Sequence, residues 1–324
     1  MDRKMNGKMG TTAEPVLEVK DLSVTFRMYD AGLEQYDLKV ISNLNLDVRP
    51  GEIVAVAGSS GSGKSLLAHA VMGLLPENAA VRGEILYRGK VLSQREKEQC
   101  RGTEFALIPQ SVTYLDPSMR VGAQAVDIHT AGKKPARERK RRQKEVFARF
   151  RLSDEVESLY PFQLSGGMAR RVLVSTAVTG GAGLIIADEP TPGLDLEMAL
   201  EALRCFRELA DEGKAVILIT HDIDLAFQVA DRVAVFYAGT TVEVTPSEDF
   251  IRGPEALRHP YSKALWNALP QNGFTPIPGF QPYARCLPKG CLFAPRCPHR
   301  TGECGQAVPM RELRGGMVRC IHAT

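Results

Sequence analysis

No apolar run in the chain approaches the roughly 18 residues that a membrane-spanning helix needs. Met1 to Glu14 is polar and glycine-containing, without the apolar core of an export signal, and reads as a disordered lead-in. A net charge of +3 over 324 residues is too small to argue for a nucleic-acid partner. There is no internal repeat and no low-complexity tract. Seven cysteines without an export signal suggest reduced thiols or metal ligands rather than disulfides, and none of them form a C-x-x-C pair. G-x-G-x-x-G, the dinucleotide-binding turn, is also absent.

What is present begins at Gly58. Gly58-Ser59-Ser60-Gly61-Ser62-Gly63-Lys64-Ser65 follows the apolar run Ile53–Ala57 and precedes the helix-like Leu66–Met72. Strand, glycine loop and helix form the context of a P-loop. Glycines let successive backbone N–H groups converge on phosphate oxygens, and the helix N-terminus adds its positive dipole end. In that arrangement Lys64 reaches the β- and γ-phosphates, and the Ser65 hydroxyl ligates Mg²⁺.

Other short apolar runs, Leu184–Ala187, Ala215–Thr220 and Arg232–Tyr237, alternate with helical patterns and predict a parallel sheet flanked by helices. Val16–Phe26 and Leu38–Val48 alternate apolar and polar residues, which predicts an antiparallel β-layer ahead of the P-loop. Residues from about 115 to 170 are rich in helix formers and charge, as an inserted helical subdomain would be. Prolines and glycines multiply after Pro254, and five of the seven cysteines fall at or beyond Cys286. The expected division is therefore 1–14 lead-in, 15–253 nucleotide-binding domain, and 254–324 a small Cys-rich module.

Leu184–Ala187 ends in Asp188-Glu189. Behind a P-loop, Asp188 suits a Mg²⁺ contact, and Glu189 suits orienting and polarising the attacking water. Between the two motifs lies Leu164-Ser165-Gly166-Gly167-Met168. Here the sequence resembles the ATP-binding cassette family, whose signature is Leu-Ser-Gly-Gly-Gln. Gln110 fits the Q-loop glutamine, Pro192-Gly193-Leu194-Asp195 the D-loop, and His221 the switch histidine, all in the family's order across roughly residues 16 to 250.

The resemblance implies an α/β P-loop cassette with an antiparallel β-layer and a helical subdomain. It implies two such domains pairing head to tail, with each ATP held between the P-loop of one and the Ser165–Gly167 loop of the other. It assigns His221 to bridge the γ-phosphate and Glu189, and Gln110 to contact Mg²⁺ and water. The family stacks adenine on an aromatic near the end of the first strand. Phe26 fits by position, with Tyr29 and Tyr36 as rivals and a core role as the plain alternative. Met168 departs from the signature and lacks the hydrogen bonds of the usual glutamine.

Tyr160-Pro161-Phe162-Gln163 resembles the importer segment before the signature. Leu115-Asp116-Pro117-Ser118-Met119, His259-Pro260-Tyr261 and Pro276-Ile277-Pro278-Gly279 resemble segments of the oligopeptide, dipeptide and nickel importers. That subfamily implies an ATPase at the cytoplasmic face of the membrane, two permease subunits, a second ATPase subunit and an extracytoplasmic solute-binding protein. The alternatives are a regulatory nucleotide-binding subunit, suggested by Met168, and a non-transport cassette ATPase.

Cys291, Cys297, Cys304 and Cys320 are separated by five, six and fifteen residues. Four thiolates can hold a [4Fe–4S] cluster, and some relatives with this tail are thought to carry one. Zinc, or reduced structural thiols, are the other readings, with Cys286 a spare and Cys100 and Cys205 ordinary. The basic run Lys133–Lys144 lacks interleaved aromatics and reads as a solvated helix face, then as a contact for anionic lipid; nucleic acid is disfavoured.

Overall fold

The computed structural model describes residues 13–30, 32, 34–126 and 135–324. Most of the lead-in and the start of the basic run lie outside the described residues. The strands are β1 (Leu17–Tyr29), β2 (Gln35–Val48), β3 (Ile53–Gly58), β4 (Ala79–Tyr87), β5 (Lys90–Val91), β6 (Phe105–Ile108), β7 (Leu184–Asp188), β8 (Ala215–Ile219), β9 (Arg232–Tyr237), β10 (Thr240–Pro246), β11 (Arg311–Leu313) and β12 (Gly316–Val318). The α-helices are α1 (Lys64–Met72), α2 (Gln94–Cys100), α3 (Val121–Ala125), α4 (Ala136–Arg149), α5 (Gly166–Thr179), α6 (Leu196–Asp211), α7 (Ile223–Phe227), α8 (Ser247–Arg252) and α9 (Pro260–Asn267).

Two sheets organise the chain. β2-β1-β4-β5 form an antiparallel layer, and β11-β12-β10-β9-β3-β8-β7-β6 form the main sheet. Its members β9, β3, β8, β7 and β6 run parallel. β7 and β8 are buried at every position, which is why they read as unbroken apolar runs.

Side chains alternate faces along a strand, so the main sheet divides its core in two. Ile53, Ala55, Ile185, Ala187, Val216 and Leu218 face the helical side with α5 and α6. Val54, Val56, Leu184, Ile186, Ile217 and Ile219 face α1 and the antiparallel layer. Helix α6 buries Met198, Ala199, Ala202, Leu203, Phe206, Leu209 and Ala210, a stripe at helical spacing.

The region from about 115 to 170 does carry the helical elements, α3, α4 and the start of α5, together with short 3₁₀ turns. On α4, Lys140 pairs with Glu157, Arg141 with Glu145 and Lys144 with Asp154, so part of the basic run is neutralised by local acids; Arg149, beyond the run, pairs with Glu201 and Glu208.

Sequence reasoning missed β4, β6, β10 and the β11–β12 hairpin. β10 (Thr-Thr-Val-Glu-Val-Thr-Pro) is polar in composition yet almost wholly buried, with Thr241, Glu243 and Thr245 partnered and the Thr240 hydroxyl left without a partner. Buried Glu243 accepts from the backbone N–H groups of Arg258 and His259, at 2.9 and 2.8 Å. Arg258 donates to Glu243, Thr245 and Asp249. β12 pairs antiparallel with β10, so the tail after residue 254 returns to extend the main sheet.

Candidate active site

The parallel strands deliver the predicted residues to one edge. Ligands of open α/β sheets bind beyond the C-terminal ends of the strands. β3 ends at Gly58, β6 leads to Gln110, β7 ends at Asp188 and β8 leads to His221. Val56 and Asp188 both register against Ile219, which sets the P-loop strand and the acidic strand end level with each other.

Gly58 is required by space: a Cβ there would lie 2.3 Å from the carbonyl oxygen of Phe236 on β9. The loop then turns through Ser59–Gly63 into α1, with Gly63 at the N-cap. Lys64 is 9% exposed, and its ammonium donates to the carbonyls of Gly58 and Ser59 at 2.8 and 3.0 Å. Burial pulls its pKa down, while the charges of Glu189 and Asp188 oppose that.

Asp188 is buried beside the Ser65 hydroxyl, and burial pushes its carboxyl upward in pKa. Its Oδ1 has no hydrogen-bond partner. An orphaned buried carboxylate oxygen next to a hydroxyl suits a hard divalent cation that takes oxygen ligands. Both residues fit the Mg²⁺ role expected of them.

Glu189 sits on the next residue with φ of 50°, a left-handed conformation that a non-glycine residue adopts at a cost of about 1–3 kcal/mol. Its N–H donates to the Ile219 carbonyl at 2.8 Å, which holds that turn. The side chain is 10% exposed, and its Oε2 lies 2.8 Å from His221 Nδ1. The imidazole is 70% exposed, so one edge is fixed by Glu189 while the rest faces solvent.

Gln110 is exposed and its backbone is anchored by a residue that sequence reasoning passed over. Arg170, 6% exposed on α5, donates to the carbonyls of Pro109, at 3.0 Å, and of Gln110. It also lies within electrostatic reach of Glu189 and Asp188. One arginine therefore ties the helix that opens at Ser165 to the Gln110 loop. An arginine three residues past Gly167 carries no signal in sequence that would mark it.

Ser165 is the N-cap of α5, accepting from Met168 N–H, and Ser165 and Gly166 are exposed to solvent. Met168 packs against the core with its apolar chain. Asp195 is likewise an N-cap: its Oδ1 accepts from Met198 N–H at 2.9 Å at the start of α6. Phe26 is half-buried against the core under the antiparallel layer, Tyr29 is 64% exposed, and Tyr36 carries the Arg285 guanidinium 4.2 Å from its ring centroid.

Cys291, Cys297, Cys304 and Cys320 line one small cavity together with His259, Phe293, Val308 and Ile321. Burial raises the thiol pKa of Cys291, Cys297 and Cys320. Their arrangement falls short of the expectation in one respect. Among the described residues no group of three or more His, Cys, Asp or Glu side chains is placed to hold a metal ion. The four side chains share one cavity, and its lining surface is apolar. Cys286 is exposed and outside the cavity, and Cys205 is buried on α6 with its thiol pushed up to about 12 by desolvation.

Comparison with known proteins agrees with this geometry. Residues 41–192 match the ABC transporter family model, and residues 242–304 match that of the oligopeptide/dipeptide transporter C-terminal region. The oligopeptide transport ATP-binding protein OppD of Escherichia coli K12 is 37% identical, over 95% of this chain and 93% of its own length. The dipeptide transport ATP-binding protein DppD of Bacillus subtilis 168 is 37% identical, over 93% and 92%. Among solved structures, the dimeric post-hydrolysis state of the ATP-binding cassette MJ0796 bound to ADP and Pi superposes with a TM-score of 0.62 at 26% identity, covering 71% of this chain and 98% of that one.

Proposed function

The chain belongs to the ABC transporter family, in the branch that carries the oligopeptide/dipeptide C-terminal region, and from that premise we propose that it is the ATP-hydrolysing subunit of a peptide importer. The observation that carries the hydrolytic reading is the 2.8 Å contact of Glu189 with His221, level with the P-loop.

ATP binds with its phosphates in the Gly58–Ser65 loop, where Lys64 turns from two backbone carbonyls toward the β- and γ-oxygens. Ser65 and Asp188, with Gln110 nearby, would hold Mg²⁺, which when bound would neutralise phosphate charge. Glu189 orients the attacking water and accepts its proton, and His221 holds that carboxylate at the γ-phosphate end. The exposed Ser165–Gly167 loop and Asp195 face a second ATPase subunit and complete its site. The N-terminus of α5, capped by Ser165 and with Gly166 exposed, is suited to meet a phosphate. Phe26 supports the adenine.

Among the described residues no helix is long and apolar enough to cross a membrane. By its likeness to importer ATP-binding proteins, the subunit docks at the cytoplasmic face on two permease subunits, served from the other side by a solute-binding protein. Residues 15–253 form the nucleotide-binding unit and 254–324 the subfamily's tail. The four tail cysteines, which share a cavity, are the candidate ligands for a [4Fe–4S] cluster that would staple that tail. Iron and acid-labile sulfide in anaerobically purified protein would support this, and a metal-free tail would leave the cysteines as core.

The test of function is ATPase activity of the complex reconstituted with its permeases and binding protein. Peptide should stimulate turnover, and Lys64→Ala should abolish nucleotide binding. Stimulation by nickel instead would reassign the cargo, and ATP binding by Lys64→Ala with unchanged affinity would overturn the site.

A further inference from the structure

The tail returns to the P-loop from more than two hundred residues away. Gln281 Oε1 accepts a hydrogen bond from the Ser59 hydroxyl at 2.6 Å, and its Nε2 makes a longer contact with the Gly61 carbonyl, at 3.5 Å. Four residues further on, Arg285 stacks on Tyr36 and pairs with Asp30, at the turn end of the β1–β2 hairpin. The root of the segment is held as well: Arg296 donates to the carbonyls of Ile277 and Pro278 at 2.8 and 2.7 Å.

We propose that residues 277–285 form a strap built into the nucleotide site, in which Gln281 positions the P-loop through Ser59 and Arg285 fixes the strap to the hairpin that bears the adenine-side aromatics. Four residues reach at most about 13–14 Å, and the turn closed by Cys286 N–H on the Tyr283 carbonyl shortens that, so the two anchor points lie close to each other on the strap. This rests on the ATP-binding reading and adds residues to that site.

The contacts support the loop and leave its phosphate-binding groups free. A P-loop grips phosphates with backbone N–H groups, its lysine and its final hydroxyl. Gln281 uses none of these: it holds a side-chain hydroxyl and a carbonyl that point elsewhere. Ser59 is also the residue whose carbonyl receives Lys64. Fixing Ser59 therefore fixes the backbone that sets the starting place of the Lys64 ammonium. A mobile Ser59 would cost binding, because the loop must be ordered before its N–H groups converge.

The experiment measures ATP dependence of turnover in the reconstituted complex for Gln281→Ala, Ser59→Ala and the double variant, with thermal unfolding of each as the control for folding. Gln281→Ala should raise KM for ATP about three- to tenfold, the effect of losing one hydrogen bond, with kcat within about twofold. Ser59→Ala should do the same, and the double variant should be no worse than either, because both remove one bond. Arg285→Ala should also raise KM.

Unchanged KM in Gln281→Ala and Ser59→Ala would overturn the proposal. So would a lowered KM, since it would make the segment a block to be displaced, and so would fully additive effects. Lys64→Ala separates the two levels: if it still binds ATP the site itself is misassigned, whereas if it does not and Gln281→Ala is silent, only the strap falls.

Discussion

Glu189 Oε2 stands 2.8 Å from Nδ1 of His221, on a backbone held at a φ of 50°. Two strand ends meet in this contact, β7 supplying the carboxylate and β8 the imidazole. A strained residue persists only where its surroundings over-determine it. Here the Ile219 carbonyl receives the Glu189 N–H and the histidine receives its side chain. Glu189→Gln keeps the shape and removes the base. It should leave ATP binding intact and lower turnover by about 100-fold or more. If turnover of the complex survives, this chain is the non-hydrolysing member of its pair.

Arg170 spans from α5 to the Gln110 loop through two carbonyls. Arg170→Met keeps the apolar stem and removes both bonds. The Pro109 carbonyl stays buried, so that lost charged bond costs about 1.5–3 kcal/mol, whereas the carbonyl of exposed Gln110 can turn to water at little further cost. Gln110 would then drift, and displacement of a positioning group by an ångström costs about 100-fold in rate. Stability should fall by roughly 2–3 kcal/mol and kcat by between ~10- and 100-fold, with ATP affinity little changed. An equal loss in affinity and none in kcat would place Arg170 in loop architecture only.

The parts that were legible in sequence share a physical cause. Ile53–Ala57, Leu184–Ala187 and Ala215–Thr220 are buried on both faces, so they read as continuous apolar runs followed by the residues they deliver. β10 was invisible because Thr245 and Glu243 are satisfied by Arg258 and by the backbone of residues 258 and 259, and Thr241 by the Asn45 carbonyl, partners that no local pattern reveals. Gln281 and Ser59 are 222 positions apart, and nothing periodic links them. The grouping of the four tail cysteines was suggested by the family resemblance and not by their spacing, and their packing beside Phe293 in one cavity left no sequence signal.

Gly239 closes the turn between β9 and β10 and presses against β2. Its φ is 83°, and an added Cβ would lie 1.9 Å from the Val40 carbonyl oxygen. Its N–H donates to Ser62 in the P-loop, and its carbonyl receives Ser42 N–H. Gly213 has a φ of 94° with nothing within 4 Å of the same hypothetical atom. Gly213→Ala should therefore cost only the conformational penalty, about 1–2 kcal/mol. Gly239→Ala adds a clash that separates the two sheets, and should cost about 3 kcal/mol or more in denaturant unfolding. Equal costs would refute the close approach.

Asp47 and Arg232 join the antiparallel layer to the main sheet. Two contacts, at 2.8 and 3.0 Å, make the pair bidentate, and Glu52 receives the same guanidinium at 3.2 Å. Burial pushes the Asp47 carboxyl upward in pKa, but the hydrogen bonds and charge of Arg232, helped by Arg49, outweigh it and hold it below its ordinary value. A carboxyl with a lowered folded-state pKa adds stability that is complete above the unfolded value of about 3.9 and drains away as pH falls through the folded one. Asp47→Asn removes that titration and half the pair, and should cost about 1–3 kcal/mol near pH 7. Glu52 shifts the opposite way, raised by burial, but it is present in both proteins and largely cancels in the difference. The gap between wild type and variant should hold from pH 7 to about 5 and narrow below about 4. Urea unfolding at a series of pH values reads this directly, and a gap that stays constant down to pH 3 would show that the ionised Asp47 is not what binds the two sheets together.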